Sequence, residues 1–154
     1  MKKPILLTLL SACLLGMGLT AVTKAQAQSK GNTETVILAG YKLNPSVPTS
    51  ASGTITLRLK ADTLTVEGTF SDLMAPYVSA AIYYAKKDLA VNQIFRLKSQ
   101  INEERTGGSF RAEDNQFKLS EAHMELLRNG ELSIRISSNQ HKQGEIGAWL
   151  PTDL

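Results

Sequence analysis

Cysteine is all but missing. Cys13 is the only one in 154 residues, and it stands in an apolar N-terminal stretch. The chain beyond that stretch can therefore close no disulfide and has no thiolate to serve as nucleophile or metal ligand. Histidine is nearly as scarce, with His123 and His141 alone. They are too far apart in sequence to share a helix face, where paired ligands stand about three or four residues apart. They read as a helix-surface and a loop histidine, and a metal site would need both to converge with a carboxylate such as Glu121, Glu125 or Glu145. Serine chemistry lacks its G-x-S-x-G turn, and "RTGGSF" lacks the lysine and helix of a phosphate loop. The neighbouring acids Glu103 and Glu104, like Glu113 and Asp114, would point to opposite faces of a strand, which suits solvated loops better than acid–base work. No catalytic constellation and no cofactor is indicated.

An excess of one charge is missing as well. The chain has 17 basic and 14 acidic residues, but Lys2, Lys3 and Lys24 fall in the first 27 positions, which contain no acid. The other 127 residues balance at 14 of each sign, interspersed, so there is no electrostatic footprint for nucleic acid. Those first 27 residues have the anatomy of a secretory signal. Lys2 and Lys3 precede an apolar run from Pro4 to Val22, and "AQA", Ala25 to Ala27, supplies the small residues that a signal peptidase reads. The expected mature chain begins near Gln28. Two alternatives stay open: "LSAC", Leu10 to Cys13, fits a lipobox with Cys13 acylated, and the run approaches the length of an uncleaved anchor. Only the lipid anchor or that span would tie the protein to a membrane. The expected location is periplasmic or secreted.

What the chain does have is alternation. "TITLRLK" sets Ile55, Leu57 and Leu59 against Thr54, Thr56, Arg58 and Lys60, and "TLTVEGTF" sets Leu64, Val66 and Phe70 against Thr63, Thr65, Glu67 and Thr69. Strict period two with β-branched residues predicts half-buried strands, and Ala61–Asp62 between them predicts a tight hairpin. Gly68 falls on the apolar face and marks a bulge or a close approach. Further strands are expected at Thr35–Ala39, at Tyr77–Tyr84 with Val78, Ala80, Ile82 and Tyr84 inward, and around Phe95 and Leu97. Two short extended pieces are expected around a turn at Asp114 and Asn115. "NGELSIRISSNQHKQGEIGAWL", Asn129 to Leu150, reads as a closing hairpin with Leu132, Ile134, Ile136, Ile146, Ala148 and Leu150 inward. One short helix near 120–129 is expected, with Ser120 as N-cap, Gly130 just past its end, and Met124 and Leu127 docked on the sheet. The domain organisation follows: signal 1–27, flexible leader 28–34, one domain 35–154. The fold class is all-β, an antiparallel Greek-key-like β-sandwich of about seven strands.

The order of these pieces resembles the CHRD domain, the module of chordin that also occurs alone in exported bacterial proteins. "VPTSASGTITL" (Val47 to Leu57), "LTVEGTFSDL" (Leu64 to Leu73), "APYVSAAIY" (Ala75 to Tyr83), "NGELSIRISS" and "QGEIGAWL" are similar to its successive motifs, from about Val36 to Leu150. The resemblance implies structural roles for Gly53, Gly68, Gly130, Glu131, Gly144, Glu145 and Ile146. The chain departs from the family where histidines are usual. It carries Ala81, Tyr83 and Ser137, all on the polar side by alternation, so any family histidine cluster is absent. The arginine that usually follows Glu-Ile is replaced by Gly147.

Glu145, at the start of the last strand, is expected to accept backbone amides or pair with a base such as Arg135, with direct contact to a partner as the alternative. Outward aromatics Tyr77, Tyr83 and Trp149, with His141 in the final loop, form a candidate contact surface, unless a loop or the helix covers that face. The function expected is binding, not catalysis, through a sheet face or the loops Pro45–Ser52 and Ser138–Gly144. The expected partner is a protein or cell-envelope polymer, and the sequence assigns no oligomeric state. The rival is a metal-dependent protein or enzyme on the same scaffold.

Overall fold

The computed structural model describes residues 32–84 and 92–154. The signal, Cys13 and the segment 85–91 lie outside the described residues. The strands are β1 (Asn32–Ala39), β2 (Ser52–Lys60), β3 (Thr63–Ser71), β4 (Tyr77–Tyr84), β5 (Asn92–Arg96), β6 (Gln100–Ile101), β7 (Gly108–Phe110), β8 (Gln116–Lys118), β9 (Leu132–Ser138) and β10 (Ile146–Trp149), with one helix, α1 (Glu121–Arg128). Every pairing is antiparallel. The path runs β5-β4-β9-β10-β1-β2-β3-β7-β6, and β8 also pairs with β3.

The β2–β3 hairpin is the longest ladder. Nine residue pairs run from Ser52 with Ser71 to Lys60 with Thr63, closed by Ala61 at φ 54° and Asp62. Its inward residues Ile55, Leu57, Leu64 and Val66 are fully buried, as are Ile82, Ile134, Ile136 and Ile146 from the other end of the path. All belong to one cluster. Burying such a side chain contributes about 1.5–3 kcal/mol, and this sum stabilises a chain that has no disulfide to help it.

The chain is all-β as expected, but the strand count and layering are corrected. Ten strands, among the described residues, replace about seven, and the two layers are halves of one continuous curled sheet. β7 and β8 are the two short extended pieces expected around Asp114 and Asn115, while β6, with only two residues, is too short to show a period. β7 and β8 share one edge of β3, at Gly68–Phe70 and Thr63–Thr65, and the amide of Val66 between them donates to the Asn115 carbonyl at 2.9 Å. The first strand also begins earlier than expected. Asn32, Thr33 and Glu34 pair with Leu59, Arg58 and Leu57, so the expected leader is already in the sheet by Asn32.

Gly68 is a close approach and not a bulge, since the β2–β3 register passes through it unbroken. A Cβ there would lie 2.2 Å from the Thr54 carbonyl oxygen, at a φ of 153°. The bulge falls elsewhere. The β4–β9 register slips between Tyr77 and Ser79, which turns Val78 out to solvent (41% exposed) where simple alternation placed it inward. Alternation also misplaced Ala81 and Ser137. They lie on the outer face, yet both are buried, because that face is covered around β9.

The helix docks as expected, with Leu127 buried and Met124 half-buried against the core. Ser120 caps it: the His123 amide donates to the Ser120 hydroxyl at 3.2 Å, and the Ser120 amide reaches His123 Nδ1 at 3.5 Å. The His123 ring meets Phe95 edge-on at 5.1 Å. This histidine is a capping and packing residue.

Candidate functional site

The covered part of the outer face is built by register. Arg135 on β9 stands opposite both Ala81 on β4 and Gly147 on β10. Tyr83, Ser133 and Trp149 form the next row. Gly147 makes the packing possible. A Cβ there would sit 2.5 Å from the Ile134 carbonyl oxygen and 2.7 Å from Leu43 Cδ2. Leu43 occupies the space that a side chain at position 147 would fill. It is brought there by the 3₁₀ turn Gly40–Lys42, whose Gly40 carbonyl accepts from the amides of Leu43 and Val47 at 3.2 and 3.0 Å.

Beside Leu43 opens a cavity of about 260 Å³ between the 43–47 segment and the 140–144 segment. Leu43, Pro45 and Val47 supply its apolar wall; Asn44, Gln140 and Gln143 supply amides; Arg135, His141 and Lys142 supply basic groups. No acidic side chain lines it. Arg135 lies with its Cζ 5.8 Å from the centroid of the Tyr83 ring, a contact that holds the guanidinium by its π face. Nη1 donates to the Gln143 carbonyl at 3.4 Å. Burial pulls the Arg135 pKa below its ordinary value, opposed only by Tyr83. Arg135 Nε and His141 Nε2 are both shut off from solvent and have no hydrogen-bond partner. A buried donor left in that state costs about 1–3 kcal/mol.

Glu145, next to this cavity, is fully buried. Its Oε1 accepts the Thr49 hydroxyl at 2.7 Å and the Met74 amide at 2.8 Å, while Oε2 has no partner. The expected amide acceptance is seen with Met74, but the alternative pairing with Arg135 is not. Among the described residues the ion pairs are Arg111–Glu113, Lys118–Asp62 and Arg128–Glu121. Glu145 Oε1 is occupied by Thr49 and Met74 instead.

The other residues singled out by sequence scatter. Trp149 is 45% exposed on the outer face and Tyr83 is half-buried in the same row. Tyr77 does not join them. It stacks on Phe70 at 5.6 Å, with its hydroxyl 2.7 Å from Ser99, on the core side of the β4 bulge. Gly53 pairs with Phe70. Gly130 follows α1 and donates to the Leu127 carbonyl, and Glu131 donates to Leu126. Gly144 lines the cavity, and Ile146 is core. Arg135 and Leu43 were not picked out as site residues, because only the β9–β10 register and the 40–47 loop bring them together. Asn115, expected in a turn, is fully buried. Its Oδ1 accepts from Lys98 N at 2.8 Å, and its Nδ2 donates to the Lys98 and Arg111 carbonyls, each at 3.0 Å. No group of three or more His, Cys, Asp or Glu side chains able to hold a metal ion occurs among the described residues.

A curled antiparallel sheet with one docked helix and a loop-end hollow defines a small all-β domain. A family model described as the CHRD domain matches residues 26–148, and the chain belongs to the CHRD domain family. No curated protein and no solved structure matches it.

Proposed function

We propose that this CHRD domain is an exported, non-catalytic binding module that engages a protein or polymer of the bacterial cell envelope or extracellular space. It does so through the end of the sheet where the 43–47 and 140–144 segments meet. The observation that supports this reading is the cavity itself: an open hollow lined by basic and amide side chains with no acid among them, mounted on the paired strands β9 and β10. A rigid sheet that carries a concave loop end is the usual geometry of a recognition site. The signal-like first 27 residues support export, which would bring the domain within reach of envelope polymers.

The test is retention of the purified protein on isolated envelope material, comparing the native chain with Lys142→Glu, a reversal at an exposed position on the rim of the hollow. Retention of the native protein and its loss in the variant is the expected result. Equal retention of both, or of neither, ends the reading. Intact mass of the exported form distinguishes cleavage after Ala27 from a lipid on Cys13.

A further inference from the structure

We infer that the cavity takes the carboxylate of an acidic sugar, with the Arg135 guanidinium as its anchor. The inference deepens the proposed binding role and rests on it, adding the chemical class of the ligand.

Charge comes first. Arg135, His141 and Lys142 line one hollow with no acid among its lining residues. Neither Arg135 nor Lys142 pairs with a carboxylate among the described residues. Two cationic side chains and an imidazole line the hollow with no carboxylate among the lining residues, which leaves the role of counter-charge to something from outside.

The guanidinium is already oriented for it. Tyr83 supports one π face, and Nη1 is engaged by the Gln143 carbonyl. The edge that remains is Nε with Nη2, two parallel N–H groups spaced to match the two oxygens of a carboxylate. Nε has no partner, and neither has His141 Nε2, which lines the same hollow. Both atoms are withdrawn from solvent, so full contact requires the 140–144 segment to give way. That segment is held by turn hydrogen bonds, from His141 to the Ser138 carbonyl at 3.2 Å and from Gly144 to the His141 carbonyl at 3.1 Å, and these are what must rearrange.

Size and lining decide the body that carries the carboxylate. At about 260 Å³ the hollow falls just below the roughly 300–1,000 Å³ of pockets that enclose a whole cofactor or drug-sized ligand. It suits one unit of a polymer whose remainder stays in solvent. Asn44, Gln140 and Gln143 each offer an amide that both donates and accepts, which matches sugar hydroxyls better than it matches the apolar side chains of a peptide terminus. A uronate, a carboxylate on a ring of hydroxyls, meets both requirements.

The test is a titration of the ¹⁵N-labelled protein with D-glucuronate, following the Arg135 Nε–H and Gly144 amide signals. D-glucose, N-acetylalanine and inorganic phosphate serve as comparators. Glucuronate is expected to shift both signals saturably. Glucose is expected to leave them in place, and N-acetylalanine and phosphate to bind about tenfold more weakly. Arg135→Lys keeps the charge but removes the fork, and weakens glucuronate binding by about tenfold to a hundredfold. Lys142→Glu, on an exposed side chain that leaves the fold unaltered, weakens it as well. The inference is overturned if glucuronate gives no saturable shift, if glucose moves the same signals equally, or if N-acetylalanine or phosphate binds as tightly. If glucuronate fails while retention on envelope material still depends on Lys142, the sugar-acid assignment alone falls. Retention indifferent to both substitutions removes the binding role of the hollow.

Discussion

The carboxylate of Glu145 accepts the hydroxyl of Thr49 at 2.7 Å across 96 positions of sequence. The same oxygen accepts the Met74 amide, and the Thr49 hydroxyl accepts the Ala51 amide at 3.0 Å. Three loops are thus joined at one buried point, at the end of the sheet that carries the cavity. Thr49→Val removes the hydroxyl and is expected to destabilise by about 1–3 kcal/mol. Glu145→Ala orphans both donors and is expected to destabilise by about 3–5 kcal/mol. Urea unfolding of the two single variants and the double variant should show a coupling of about 0.5–3 kcal/mol; strict additivity would mean that the contact does not hold the loops.

Asn115 makes a second such junction, between Lys98 in the stretch linking β5 to β6, Arg111 and β3. Its carboxamide satisfies one amide and two carbonyls in a site that water does not reach. Asn115→Ala is expected to lower stability by about 3 kcal/mol, and Asn115→Asp by a similar amount, because a carboxylate has no hydrogen to give the two carbonyls. Thermal unfolding separates this from a surface position: a change in Tm of a degree or less for either variant would contradict the buried junction.

Two backbone positions of the β2–β3 hairpin should respond in opposite directions. Ala61 holds a φ of 54°, which glycine adopts without the Cβ penalty, so Ala61→Gly is expected to be neutral or to stabilise by up to about 1 kcal/mol. Gly68→Ala forces a Cβ to 2.2 Å from the Thr54 carbonyl oxygen, and backbone atoms cannot yield as a side chain would. It is expected to destabilise by about 3 kcal/mol or more. Recovery of soluble protein and its unfolding midpoint check both.

Alkaline unfolding should report Tyr77. Burial pushes its pKa above the ordinary 10.0, with the hydrogen bond to Ser99 and the nearby Arg96 acting against that. Below about pH 10 the phenol is protonated in both folded and unfolded chains, and its contribution is fully present. As pH rises past that value the unfolded chain releases its proton first, so stability falls until the folded-state value is passed. Tyr77→Phe is expected to flatten the decline above pH 10 while losing the Ser99 hydrogen bond at neutral pH. An unchanged alkaline slope would show that Tyr77 ionises as freely folded as unfolded.

The hairpins were legible because burial on one face and water on the other write period two into the residues themselves. Ile55, Leu57, Leu64 and Val66, or Ile134 and Ile136, needed no knowledge of their partners to be placed inward. Where both faces are covered, the code fails. Ala81 and Ser137 look like solvent-facing residues but are buried on the outer face, and Val78 looks like a core residue but is thrown outward by a slipped register. A strand such as β6, with two residues, carries too few to display any period. Trp149 and Tyr83 were correctly grouped on one face, whereas Tyr77 was separated from them by the same slip.

Alternating polarity along the chain determined, without coordinates, that this is an all-β domain with one docked helix and a core that does not depend on disulfides. The reason is local: each strand must hide one face and wet the other, whatever its neighbours are. The cavity was decided only by tertiary structure. Leu43 is far in sequence from Arg135 and His141, and its meeting with them depends on which strands pair, in what register, and on a missing side chain at Gly147 that lets one loop lie down on the sheet.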